Sequence, residues 1–312
     1  KNFFFFYSFM SSKIKITFLG TGGIIPTAKR NHIAIFLEYD SYGILVDCGE
    51  GTQRQFRKAK INPGKITKLL ITHWHGDHVL GIPGLLQTLA LSGYNKTLEI
   101  YGPSGTKEYM KGVLKIFHFV TDIKIEVKEI DKEGIFFEGK DFFLESRKMT
   151  HGCLCNAYNF VEKGKIRIDK KKLEKTKLPS GSLLQRIKEG KDIVYQGKKY
   201  KAKDLTYEVG EKKISFVLDT GLNDKIIPFV KDSDLLVIES TYAYDMEETA
   251  KEYKHLTSSQ AGEIAKKAKV KKTILTHISQ RYDKNSKRLL NEARKIFKNS
   301  FLAEDLDVVE VE

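Results

Sequence analysis

The sequence predicts an α/β protein of two packed sheets with helices on the outside and one charged segment standing apart. Short apolar runs alternate with turn words and helical stretches in both halves of the chain, and a lysine-rich stretch separates the halves. The composition, 41% hydrophobic and 30% charged over 312 residues, is that of a folded protein and excludes disordered, collagen-like and fibrous chains. The length suits one large or two modest domains.

Residues 1–12 read as an N-terminal extension, disordered or an artefact of the start site. The aromatic run at 3–9 has no signal-peptide cleavage site, is too short to span ~30 Å of hydrocarbon, and precedes a natural-looking start at Met10. The folded domain is expected over 13–312. Strand-like runs at 14–19, 33–39 and 43–46 are separated by Gly20-Thr21-Gly22-Gly23 and end in Asp47-Cys48-Gly49-Glu50-Gly51. A helix at 52–59 leads through Asn62-Pro63-Gly64 into an apolar strand at 66–72. Pro83 suits the first turn of a helix through 91, which Gly93 closes. Strands at 98–101, 123–130, 136–145 and 156–162 follow, with a helix at 105–117 between them. Strands at 214–218, 235–239 and 273–276, with helices at 258–268 and 286–297, form a second half, and two such halves suit a two-sheet sandwich.

Charge narrows the partners. Lys and Arg number 54 against 40 Asp and Glu, giving +14 and a pI near 9.4, a field that steers polyanions and makes nucleic acid a candidate partner. Residues 161–204 carry fifteen Lys and Arg against six acids. Apolar residues there are too thin for a core, so this segment is expected to project as an arm or hairpin. Cys48, Cys153 and Cys155 have neither redox nor zinc-knuckle spacing and read as reduced thiols of an intracellular, cytoplasmic protein.

His73-Trp74-His75-Gly76-Asp77-His78 puts four metal-ligand candidates in six residues just after an apolar strand. Extended backbone sends His73 and His75 to one side, and Gly76 permits the turn that brings Asp77 and His78 round. Imidazoles packed this closely repel when protonated, and a divalent metal satisfies them together. His151, Asp219 and His277 stand at further strand ends; taken singly, each is as readily a structural histidine or a turn former, and spacing does not settle them.

In this order, Asp47-Cys48-Gly49-Glu50-Gly51, His73-x-His75-x-Asp77-His78, His151, Asp219 and His277 resemble the metallo-β-lactamase superfamily, whose fold is an αββα sandwich of two mixed sheets with two metals between them. Within it the chain is similar to the ribonuclease Z family of tRNA 3′-processing endonucleases. The words carrying that match are Phe18-Leu19-Gly20-Thr21-Gly22-Gly23, Pro26-Thr27 with Arg30-Asn31, Thr52-Gln53-Arg54-Gln55, Glu239-Ser240-Thr241, His255-Leu256-Thr257 and Thr276-His277-Ile278-Ser279-Gln280-Arg281-Tyr282. The likeness runs from about Lys13 to the end of the chain.

The resemblance implies two zinc ions per subunit, with manganese tolerated: His73, His75 and His151 on one, Asp77, His78 and His277 on the other, Asp219 bridging. Hard and borderline ligands without thiolate agree with that, and such pairs, ~3.5–4 Å apart, hydrolyse phosphodiesters. Asp77 is also expected to accept the water's proton and His255 to protonate the leaving oxygen. The implied reaction removes the 3′ trailer from precursor tRNA, leaves a 3′-hydroxyl on the tRNA, and needs neither membrane nor nucleotide cofactor. Segment 161–204 would be the tRNA-binding arm, with Lys170, Lys171, Lys172, Arg186 and Lys188 on phosphates; where the family carries Gly-Pro near the tip, this chain has Leu178-Pro179-Ser180-Gly181-Ser182. Arg281, Ser279, Arg30 and Asn31 match family groups near the phosphate and acceptor end, and a homodimer is implied. His32, His118 and Trp74 read as structural or packing residues. The alternative is a hydrolase of a small ester, thioester or phosphodiester on the same fold, which explains the metals but gives no reason for a basic arm.

Overall fold

A computed structural model describes residues 14–118 and 123–311, so the expectation for 1–12 lies outside the described residues. The first sheet opens as an antiparallel meander, β1 (Ile14–Gly20), β2 (Ala34–Tyr39) and β3 (Tyr42–Val46), and continues in parallel through β4 (Lys68–Leu70), β5 (Thr97–Gly102) and β6 (Lys124–Glu129). The second sheet repeats the plan. Antiparallel β7 (Gly134–Glu138), β8 (Phe142–Met149) and β9 (Cys155–Glu162) precede the arm, which holds β10 (Lys165–Ile168), β11 (Ile193–Tyr195), β12 (Lys198–Tyr200) and β13 (Thr206–Val209). Then β14 (Lys212–Val217) pairs with β9 and runs parallel to β15 (Leu235–Glu239), β16 (Thr273–Thr276) and β17 (Ser300–Leu302), while β18 (Val308–Val311) returns to β1. The predicted sandwich of two mixed sheets is present.

Period-two alternation explains why the strands read as nearly continuous apolar runs. Phe18, Ile35, Leu37, Val46 and Leu70 of the first sheet meet Leu144, Phe160, Ile214, Phe216 and Val237 of the second in the central core. The intervening residues face the helices. Leu19, Phe36, Leu45 and Leu69 pack under α1 (Thr52–Lys58), α3 (Ile82–Leu91) and α4 (Thr106–Ile116), α2 (Gly76–Val79) being a single turn at the strand ends. On the far face Val217, Leu236, Ile238 and Leu275 meet helices beyond the arm. Within the arm lie α5 (Lys170–Glu174), α6 (Ser182–Lys188) and α7 (Ala202–Leu205). After it come α8 (Ile226–Val230), α9 (Glu247–Tyr253), α10 (Ser258–Lys267) and α11 (Lys287–Ile296), of which α8, α10 and α11 cover that face.

Three expectations are corrected. The strand expected at 136–145 is a hairpin of β7 and β8, because Gly139 N–H bonds back to Phe142 O at 2.9 Å and turns the chain inside an apolar run. The arm is longer than 161–204: Val161 and Glu162 still belong to β9, and β13 pairs with β10 as the returning half of a stalk, so the inserted piece spans about 163–211. The arm also has a core of its own. Ile187, Ile193, Ala202 and Leu205 are buried, with Ile168, Leu178, Leu183, Leu184 and Tyr200 packed against them. No helix among the described residues is long and apolar enough to cross a membrane.

The arm's small core makes a prediction. Ile187 is fully buried, so Ile187→Ala removes about 2–4 kcal/mol from the arm. Limited proteolysis or hydrogen exchange should find 165–209 opened and the sandwich amides still protected; equal loss in both would mean that the arm and the sandwich unfold together.

Candidate metal centre

The site forms where strands of both sheets end. Asp47 follows β3, His73 lies three residues past β4, His151 follows β8, Asp219 follows β14, Glu239 ends β15 and His277 follows β16. Crevices outside the carboxyl ends of strands in such sheets are where ligands bind. Three of these residues, Asp47 (φ 57°), Asp219 (φ 25°) and His277 (φ 56°), adopt left-handed backbone that non-glycine residues avoid. Such strain clusters at functional sites, and here it turns each side chain inward as its strand stops.

Asp219 is the centre of the cluster, and its two oxygens face different groups. Oδ2 lies 3.7 Å from both His73 Nε2 and His151 Nε2, while Oδ1 lies 3.4 Å from His78 Nε2 and 3.1 Å from His277 Nε2. Asp77 Oδ2 closes the second group, 3.4 Å from His78 Nε2 and 3.3 Å from His277 Nε2. His75 Nδ1 stands 3.2 Å from His151 Nε2 in the first. Ligand atoms of His73, His75, His151 and Asp219 are mutually within 4.8 Å, as are those of Asp77, His78 and His277. His73 Nε2, His78 Nε2 and Asp219 Oδ1 are buried without a hydrogen-bond partner. Buried polar atoms are rarely left so, and with imidazole and carboxylate donors they fit divalent cations in two adjoining places. Asp219, His255 and His277 form a third group, but the Nδ1 of His255 is bonded to Glu239.

The far sides of the rings are held by groups whose roles the sequence did not disclose. Asp47 Oδ2 lies 2.6 Å from His78 Nδ1, and its carboxylate accepts from the backbone and hydroxyl of Thr72, both at 2.8 Å. Thr72 Oγ1 is 3.0 Å from His73 Nδ1, Lys254 O accepts from His151 Nδ1 at 3.1 Å, and Thr241 Oγ1 is 2.9 Å from His277 Nδ1. Such partners fix the ring orientation of a ligating histidine. Glu239 holds His255 Nδ1 at 3.1 Å. The only advance signal was that Asp47, Glu239 and Thr241 stand in the words that carry the resemblance.

Electrostatics follow the geometry. Burial lowers His73 well below its ordinary value. At His78 burial acts the same way, but Asp219 and Asp47 outweigh it and raise it well above. Burial would raise Asp77 and Asp219 alike, yet the neighbouring His277 and His78 outweigh it and bring both carboxylates well below their usual range. His255, lowered by burial, is carried up to about 9 by Glu239 and then Asp219.

Of the expected substrate groups, Ser279 is nearly buried and Arg281 exposed, its guanidinium 5.9 Å over the Tyr242 ring, which in turn lies 6.0 Å from the His255 ring. Arg30 is placed otherwise: it is 5% exposed and donates to Thr21 Oγ1 at 2.6 Å and Ala303 O at 2.7 Å, a strut inside the loop rather than a surface cation. Asn31 donates to Glu50 O at 2.6 Å. Lys170, Lys171, Lys172 and Arg186 are exposed on the arm and Lys188 half-buried there. Trp74 packs on Tyr109 and donates to Thr106 Oγ1, His32 is buried against the Ile24 carbonyl, and His118 is exposed.

Comparison with known proteins agrees with this geometry. A family model described as anti-Pycsar protein Apyc1 matches residues 14–115. The ribonuclease Z of Oceanobacillus iheyensis is 38% identical over 308 residues, covering 96% of this chain and all of its own, and that of Enterococcus faecalis is 37% identical over 310, covering 96% and 97%. Among solved structures, human tRNase Z, short form, superposes with a TM-score of 0.71 at 27% identity, covering 96% of this chain and 99% of its own. The metallo-β-lactamase fold protein YhfI of Bacillus subtilis shares the fold, with a TM-score of 0.70 at 20% identity over 96% of this chain and all of its own.

Because Asp47 orients His78 from behind, Asp47→Ala should weaken divalent-metal binding about 10–100-fold in a chelator-competition titration, with Asp47→Asn, which keeps an acceptor for Thr72, falling between. Unchanged affinity in both would remove Asp47 from the site.

Proposed function

This chain belongs to the ribonuclease Z family, and we propose that it removes the 3′ trailer of precursor tRNA with two zinc ions, which His73, His75 and His151 and, beside them, Asp77, His78 and His277 would hold together with Asp219. It is a tRNA 3′-processing endoribonuclease of the metallo-β-lactamase fold. The observation that carries the metal assignment is the divided carboxylate, Oδ2 towards His73 and His151 and Oδ1 towards His78 and His277. Imidazole and carboxylate donors without thiolate favour zinc and admit manganese.

The chain's own residues supply the remaining chemistry. When bound, divalent cations lower the pKa of an attacking water and neutralise charge on the phosphate. Asp77, buried and held ionised by His78 and His277, accepts the proton of that water. His255, whose Nδ1 is fixed on Glu239, keeps its other ring nitrogen for the oxygen that leaves. Both groups line one cleft of ≈ 360 Å³ with His75, His151, Asp219 and His277. Ser279 and Arg281 near this mouth hold phosphate or the 3′ end, and Asn31, with Arg30 as its strut, shapes the loop on the other side.

The arm is the grip. Lys170, Lys171, Lys172, Arg186 and Lys188 neutralise backbone phosphates without reading sequence, so tRNA is recognised by shape. The family resemblance supports a cytoplasmic homodimer in which one subunit's arm presents tRNA to the other's cleft.

Purified protein should cut a 3′-extended tRNA transcript at or near the discriminator nucleotide, lose the activity to chelator and regain it with zinc or manganese. A protein that spares the transcript but turns over a small ester or thioester would move the function to the alternative hydrolase. Replacing 165–209 by a short linker should weaken tRNA binding and flatten its log–log salt dependence, while bis(p-nitrophenyl) phosphate is still hydrolysed. The ends of β10 and β13 are paired, Lys165 with Val209, so the excision leaves the sandwich closed; loss of small-substrate turnover would put the segment in the site.

A further inference from the structure

We propose that the ammonium of Lys254 receives a non-bridging oxygen of the scissile phosphodiester, giving the cleft a phosphate clamp of its own, separate from the arm. The inference rests on the nuclease reading above. Besides its histidines, the cleft is lined by three carboxylates, those of Asp77, Asp219 and Glu252, and among the described residues that line it Lys254 is the one Lys or Arg. A phosphodiester is an anion and gains charge as it is attacked. At a cleft partly shielded from water, a cation that reaches the phosphate acts on the transition state.

The backbone of Lys254 is tied to the loops that carry the metal-ligand candidates. Its carbonyl accepts from His151 Nδ1 at 3.1 Å, and its Nζ donates to His151 O at 3.3 Å. Gly221, two residues after Asp219, lets that loop lie against Lys254, since a Cβ there would stand 3.3 Å from Lys254 Cα. The next residue is His255. Lys254 ends α9 in left-handed backbone, φ 55° and ψ 54°, and is exposed.

Its side chain is therefore anchored beside the reacting groups yet not engaged by any carboxylate within ion-pair distance among the described residues. The bond from Nζ to the His151 carbonyl is a long one to a neutral acceptor. An anionic phosphate oxygen adds the attraction of opposite charges and a shorter bond, so the ammonium gains by swinging from the carbonyl to the substrate. The carbonyl that holds His151 stays in place whatever the side chain is, which separates the clamp from the support of the metal centre.

The test is Lys254→Met beside Lys254→Arg. With Lys254→Met, kcat/KM should fall about 10²-fold both for the 3′-extended transcript and for bis(p-nitrophenyl) phosphate, with bound metal per subunit as in the parent. With metal-stripped protein, the salt slope of binding to the same transcript should fall by about 1. Lys254→Arg should restore most of each. Parental kcat/KM in Lys254→Met overturns the proposal, as does a loss of bound metal in step with activity, which would make Lys254 a support for His151. A parent that turns over bis(p-nitrophenyl) phosphate but leaves the transcript intact would sink the nuclease reading, and the small substrate would still decide on Lys254.

Discussion

One desolvated carboxylate, that of Asp219, sets the terms for the rest of the molecule. Stripping water from an ion costs several kcal/mol even after relaxation, and the cost is met here by imidazoles brought from both sheets: His73, His78, His151 and His277 all approach within 3.7 Å. Since those histidines would repel one another if protonated together, the arrangement is closed only by cations between them. That is why the site is built at strand ends. Loops could not hold four such rings against their mutual repulsion, whereas strands buried on both faces stop at fixed places.

Backbone strain is the visible consequence. Asp47, Asp219 and His277 are left-handed where a glycine would be easier, each within two residues of the end of its strand. Glycine itself appears where chains must touch. A Cβ on Gly81 would lie 2.0 Å from Gly49 O, and one on Gly49 2.5 Å from Asp77 O. The loop after β3 can therefore lie directly on α2, with Cys48 N–H on His78 O and Gly81 N–H on Cys48 O, and Asp47 arrives behind His78. The sequence Asp47-Cys48-Gly49 is thus a packing solution and a ligand-orienting device at once.

This explains what was legible from the sequence. The run from His73 to His78 announced itself because four ligand types crowd into six residues, and the strands did because they alternate between two buried faces. Asp219 and His277 were single letters in turn-like words, and only resemblance tied them to the cluster. Asp47, Glu239 and Thr241 gave no chemical signal at all, because a residue that acts by holding another's far nitrogen has no spacing of its own. In the arm, the charge drew attention away from Leu178, Leu183, Leu184, Ile187 and Ile193, whose uneven spacing hides a core assembled from short helices and a hairpin. At 136–145 the opposite happened, and an apolar run concealed the turn at Gly139.

Charge is segregated in a way that the two tasks require. The cleft sets three carboxylates, those of Asp77, Asp219 and Glu252, against Lys254 as its one Lys or Arg among the described residues, so by its own side chains it is a weak trap for a long polyanion. The surplus of Lys and Arg sits instead on an arm with its own core, joined to the sandwich through the β10–β13 stalk. On the function proposed above, binding energy gathered there is insensitive to what happens at Asp219, and the reacting groups are insensitive to sequence far from the cut. On that same function, rigid strand ends then determine which phosphate reacts, because whatever the arm holds, only a phosphodiester that reaches the space between Asp77 and His255 would meet a proton acceptor and a proton donor together.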